Sequence, residues 1–82
     1  SEGRLMLFSP KQGVYSYVRK HNGQTVLVIL NKNQQAIDWD LSYMQEVLKG
    51  TNKGRDLISE KRVDLATPIR LKAMQARLIE LE

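Results

Sequence analysis

Asp38-Trp39-Asp40 is the stretch of this sequence whose residue types come nearest to a reaction. In an extended strand, side chains two apart share a face, so the two carboxylates would stand roughly 6–7 Å apart at Cα. Paired carboxylates at such separations cleave glycosidic bonds. They do so only where a cleft holds the sugar between them and raises the pKa of one. Adjacent residues on one face of a surface strand leave no room for that cleft, so the expectation is a solvated strand edge. Trp39 then points opposite to the aspartates. It is expected in core or interface packing, with a flat platform for the apolar face of a pyranose ring as the functional alternative. Tyr15 and Tyr17, two apart and therefore on one face, form a second candidate platform. Phe8, Tyr15, Tyr17, Trp39 and Tyr43 are the whole aromatic complement, and so small a core needs most of them.

Other chemistries find less material. His21 is the lone histidine and there is no cysteine, so disulfides, thiolate metal sites and a zinc cluster are excluded. His21 precedes Asn22-Gly23, where a place in a tight turn is expected. Lys49-Gly50-Thr51-Asn52-Lys53-Gly54 lacks the pattern of a phosphate-cradling loop. No catalytic residue, metal ligand or cofactor is expected in these residues.

The chain has 82 residues, room for one domain with a thin core. It opens on Ser1 rather than Met, as expected of a piece of a longer protein or of a processed chain. No apolar run is long enough to span a membrane and no signal-like segment is present, so a membrane partner is not expected. Thirteen Lys and Arg against nine Asp and Glu give a net charge of +4. A nucleic-acid binder gathers such an excess on one face or segment. Here the basic residues are scattered, with Arg19-Lys20 and Lys61-Arg62 as the largest clusters, and a solubilising surface is expected instead.

The elements that must position these residues are strands. Turn signals recur at short intervals at Ser9-Pro10, His21-Asn22-Gly23, Asn31-Lys32-Asn33, Asn52-Lys53-Gly54 and Thr67-Pro68, the mark of an all-β sandwich or barrel. Strands are expected at Leu5 to Phe8, Val14 to Lys20, Thr25 to Leu30, Ala36 to Leu41, Asp56 to Ser59 and Gln75 to Leu81. Asn22-Gly23 tolerates the positive φ of a tight hairpin, so the second and third strands should pair. Ser42 to Leu48 breaks the pattern. Ser42 and Gln45 form a possible capping box, Tyr43/Val47 and Met44/Leu48 share a helical face, and Gly50 can close a turn or two of helix.

The run Thr25-Val26-Leu27-Val28-Ile29-Leu30 is apolar on both faces. Val26, Val28 and Leu30 point one way, Leu27 and Ile29 the other. A two-layer sandwich buries only one of those faces. The other must be covered by a helix, a loop or another domain, so Val26 to Leu30 are candidates for core or interdomain packing. Val28→Asp is expected to unfold the domain by placing a charge in its central strand.

Beyond these patterns, the residues resemble a known family. Gly3-Arg4-Leu5-Met6-Leu7-Phe8-Ser9-Pro10 and Gly13-Val14-Tyr15-Ser16-Tyr17-Val18-Arg19 are similar to the entry into the C-terminal domain of cyclomaltodextrinases and neopullulanases, within the α-amylase superfamily (glycoside hydrolase family 13). Thr25-Val26-Leu27-Val28-Ile29-Leu30-Asn31 resembles that domain's T-V-L-V-x-L-N strand. Asp40-Leu41, Tyr43 to Leu48, Gly54-Arg55-Asp56-Leu57-Ile58 and Ala76-Arg77-Leu78-Ile79-Glu80-Leu81 follow in the family's order. The resemblance implies an all-β antiparallel Greek-key β-sandwich with at most one short helix, residues 1–82 forming the single C-terminal domain of a larger glycosidase. It implies a non-catalytic accessory role, with the catalytic (β/α)₈ barrel of the same polypeptide as partner. The likeness to exported neopullulanase-type enzymes of Bacteroidetes implies a periplasmic or otherwise exported parent acting on starch oligosaccharides. The alternative is a carbohydrate-binding module stacking α-glucan on Trp39 or on Tyr15 and Tyr17.

Overall fold

Alternation decides which way each long strand faces, and three hairpin-linked strands set the frame. The structure is a computed structural model describing residues 3–82. It runs β1 (Arg4–Lys11), β2 (Val14–His21), β3 (Gln24–Asn31), β4 (Ile37–Trp39), a 3₁₀ turn (Ser42–Met44) leading into α1 (Gln45–Leu48), then β5 (Lys53–Asp56), β6 (Arg62–Asp64), β7 (Ile69–Leu71) and β8 (Ala76–Leu81). Six strands form one antiparallel sheet in the order β1-β2-β3-β8-β5-β6, and β4 pairs with β7 in a second. The fold is the expected one, all-β and antiparallel, with one short helical segment.

The β2–β3 hairpin forms as expected. Asn22 and Gly23 take φ of 51° and 80°, and the register closes with His21 opposite Gln24. Positive φ at both central residues twists the turn to match the strands it joins. A second turn of the same kind, at Gln12-Gly13 (φ 52° and 78°), joins β1 to β2. Ser9-Pro10 therefore does not form the expected turn. It lies inside β1, where the register slips between Phe8 and Lys11. β1 is an edge strand, where a proline forfeits no ladder bond.

Three further expectations are corrected. Asn52-Lys53-Gly54 is not a turn, and the strand expected at Asp56 to Ser59 lies earlier, at Lys53–Asp56. An added Cβ on Gly54 would stand 2.6 Å from Ile79 Cγ2 and 2.9 Å from the Glu80 carbonyl oxygen, so this glycine lets β5 close against β8. β6 and β7, three residues each, were not anticipated. Ser42 does not cap the helical segment; Asp40 Oδ1 accepts the Ser42 N–H at 2.7 Å instead. At the other end Lys49 takes the left-handed conformation (φ 50°) just ahead of Gly50.

The core lies between the sheets. Val14, Val18, Leu27, Ile29 and Ile79 of the large sheet meet Trp39, Ile69 and Leu71 of the small one, with Met44, Val47 and Leu48 closing one end. Asn31 is fully buried at the end of β3. Its Nδ2 donates to the carbonyls of Gln35 and Lys72 (3.0 Å each) and Leu71 (3.5 Å), while its Oδ1 accepts from the N–H and Nδ2 of Asn33 (2.9 Å each). One amide thus ties the point where the chain leaves the large sheet to the point where it returns. That satisfies backbone groups a buried crossover would otherwise strand.

Candidate functional site

The aromatic residues divide between two surfaces, and that division decides which of them can meet a partner. Phe8, Trp39 and Tyr43 gather on the inner side. Tyr43 stacks edge-to-face with Phe8 and Trp39 at centroid distances of 5.4 and 5.8 Å. Trp39 Nε1 donates to Tyr43 Oη at 3.0 Å, and that oxygen lies 2.9 Å from Ser16 Oγ. Trp39 is only 4% exposed, so its ring offers no face to a sugar. The flanking aspartates stay outside. Asp38 pairs with Arg70 at 3.1 Å, and Asp40 holds the helical turn. The Ser42 backbone N–H, then the Ser42 side chain, keeps the Asp40 carboxyl below the ordinary range. A general acid needs the opposite shift. Among the described residues no three His, Cys, Asp or Glu side chains gather as metal ligands.

Tyr15 and Tyr17 lie on the other surface, the outer face of the six-stranded sheet. Register builds this face row by row. Leu7, Tyr17, Val28 and Leu78 stand side by side across β1, β2, β3 and β8, and Tyr15, Leu30 and Ala76 form the next row. Leu57 continues the first row from the loop after β5, where its N–H donates to the Leu78 carbonyl at 2.8 Å. Leu5 and Leu7 are 61% and 72% exposed, and Tyr15, Leu57 and Ile58 are also exposed. Val26, Val28, Leu30, Tyr17 and Leu78 are half-buried by one another. Of the candidate packing residues, Leu27 and Ile29 are therefore core, while Val26, Val28 and Leu30 belong to the outer face. Neither the small sheet nor the helical segment covers them, since both pack on the inner side.

The charged groups of this face lie toward one end. Arg19, Val26, Glu80 and Arg55 make one cross-strand row, and Glu80 Oε2 accepts from Gln24 Nε2. Tyr17, Arg19, His21, Gln24, Val26, Val28, Leu57 and Leu78 enclose a shallow concavity of about 280 Å³. At the far end Lys32 Nζ sits 5.7 Å over the Tyr15 ring. Behind the face, Asp56 fixes the loop that carries Leu57 and Ile58. Its Oδ1 accepts the N–H groups of Ile58 (2.8 Å) and Ser59 (3.0 Å), and its Oδ2 accepts Arg77 Nε at 2.9 Å. Burial pushes this carboxyl up, but the N–H groups of Ser59 and Ile58 together with Arg77 outweigh it, and its pKa is lowered. The same Arg77 donates through Nη1 to the Arg70 carbonyl of β7.

Sequence patterning anticipated an unfilled second face on β3 and placed both tyrosines together. It missed Leu5, Leu7 and Leu57 as parts of the same surface. Their signal was present for Leu5 and Leu7, which alternate with Met6 and Phe8. It was absent for Leu57, whose segment the pattern predicts as strand rather than loop.

Among solved structures, a β-galactosidase from Bacillus circulans sp. alkalophilus matches 94% of this chain with a TM-score of 0.68 at 23% identity. A variant of AmyP in complex with maltotriose matches 98% with a TM-score of 0.72 at 14% identity. The chain spans only 10% and 16% of those two structures, and at these identities the likeness is one of fold. The family model described as the cyclo-malto-dextrinase C-terminal domain matches residues 5–80, and to that family this chain belongs.

Proposed function

We propose that this chain serves a starch- or maltodextrin-degrading glycosidase of the α-amylase family, of cyclomaltodextrinase or neopullulanase type, as a non-catalytic C-terminal domain. It works by packing its outer sheet face on the catalytic (β/α)₈ barrel of the same polypeptide and so stabilises that barrel. One observation carries this reading: a continuous apolar surface running from Leu5 and Leu7 through Tyr17 and Val28 to Leu78 and Leu57, backed by a complete core of its own. Monomers rarely leave so large an apolar patch to water, and when they do it marks an interaction site.

The test is binding of the separately produced catalytic region to the 82-residue chain. Saturable association that Val28→Asp abolishes is expected; equal binding by wild type and variant would sink the reading. Tyr15 and Tyr17 keep a second reading open, because both lie on the outer surface and Tyr15 is 47% exposed. In that reading the face stacks an α-glucan. Calorimetric titration with millimolar maltoheptaose separates the two, since heat that disappears in Tyr17→Ala belongs to a carbohydrate module.

A further inference from the structure

We infer that the concavity around Arg19 is the anchor point of the interdomain contact, and that it receives a carboxylate side chain of the catalytic domain. The inference rests on the packing role proposed above and assigns it a chemistry. Six arginines occur in the chain, and four of them are paired with carboxylates: Arg55 with Glu60, Arg62 with Glu82, Arg70 with Asp38 and Arg77 with Asp56. Arg19 makes no such pair among the described residues, although it stands where the apolar rows give way to the polar end of the face, flanked across the strands by Leu5 and Val26. The nearest acid in its row, Glu80, lies two strands away, roughly 10 Å at the usual strand spacing, and already accepts from Gln24.

The lining of the concavity is Val26, Val28, Leu57 and Leu78 below, with Tyr17, Arg19, His21 and Gln24 around it. Its side chains include cationic and neutral donors and no carboxylate. A volume of about 280 Å³ falls just below the ~300–1,000 Å³ usual for small-molecule sites and suits a protruding side chain. A guanidinium set in an apolar surround is the kind of group that concentrates binding energy at an interface, because its fork engages a carboxylate with two parallel bonds once water is excluded. The chain's charge of +4 favours the same acidic partner at longer range.

The experiment measures association of the 82-residue chain with the separately produced catalytic region, for wild type, Arg19→Glu, Arg19→Lys and Val28→Asp, with the melting temperature of each chain recorded alone. Arg19→Glu is expected to weaken association at least about tenfold while leaving the melting temperature near wild type. Arg19→Lys, which keeps the charge and loses the fork, should fall between. If Val28→Asp abolishes association while Arg19→Glu matches wild type, the apolar docking stands and the anchor is overturned. If wild type itself does not associate, the packing role fails and the anchor with it. Retained tenfold loss in 0.5 M salt supports a desolvated pair; a loss that vanishes there would assign Arg19 to solvent-exposed steering and overturn its place in an anchor.

Discussion

The two faces of the six-stranded sheet are made from the same strands and nearly the same residue types, yet they are buried to very different degrees. On the inner face Val18, Leu27, Ile29 and Ile79 are at most 1% exposed, because the small sheet and helical segment lie over them. On the outer face Val26, Val28, Leu30 and Leu78 are half-buried by their neighbours alone. The inner face supplies the domain's own stability. Over the outer face neither the small sheet nor the helical segment closes. A strand that is apolar on both sides therefore carries two separable messages, one per face.

The sharpest way to break this comparison is to truncate one residue on each side. Leu27→Ala should cost about 2–5 kcal/mol in chemical denaturation of the isolated chain, enough to unfold much of so small a domain. An equal cost for Val28→Ala would mean that the outer face is core after all. Asn31→Ala comes next, at about 1–3 kcal/mol, because it removes the Nδ2 donor that the carbonyls of Gln35, Leu71 and Lys72 share where the layers join. A thermal melt matching wild type would show that water replaces the amide. Asp56→Asn sharpens the comparison through pH. The folded carboxyl has a pKa below that of the unfolded chain, so its stabilisation is complete above the ordinary carboxylate pKa of about 3.9 and is lost as pH falls through the lower folded value. Wild type should thus lead the variant at pH 7 and converge on it in strong acid, as followed by melts across that range. Smallest is the effect of Val28→Asp on the isolated chain, expected at about 1 kcal/mol in a thermal melt, the cost of placing Asp in a strand. This reverses the expectation from sequence that the substitution unfolds the domain, since residue 28 lies on the outer face.

The hairpin at Asn22-Gly23, the two faces of β3 and the helical break after Asp40 were legible because each is a local pattern: a turn dipeptide, an alternation, a helical spacing. β6 and β7 were not, since three residues apiece carry too little alternation to stand out from loop. The place of Asn31 was hidden for another reason. Asparagine after a strand reads as a turn residue, and only the return of Leu71 and Lys72 beside it turns it into a buried tie. The Asp56–Arg77 pair is likewise invisible, because residues 21 apart meet only through the pairing of β5 with β8. Of the candidate site, the apolar stripe on β3 and the two tyrosines could be foreseen. The loop that lends it Leu57 depends on that same long-range pair.

β8 occupies the seam of the large sheet, with β3 on one side and β5 on the other. Without Ala76–Leu81 the sheet would be two unconnected pieces, β1-β2-β3 and β5-β6, each with an open inner edge. During synthesis the first hairpins can form early, but the inner face cannot close until this late segment has left the ribosome and threaded between them. A ribosome that stalls or a nonsense codon before residue 76 would therefore yield not a slightly shortened domain but two sticky half-sheets, the kind of product that chaperones and proteases are built to recognise.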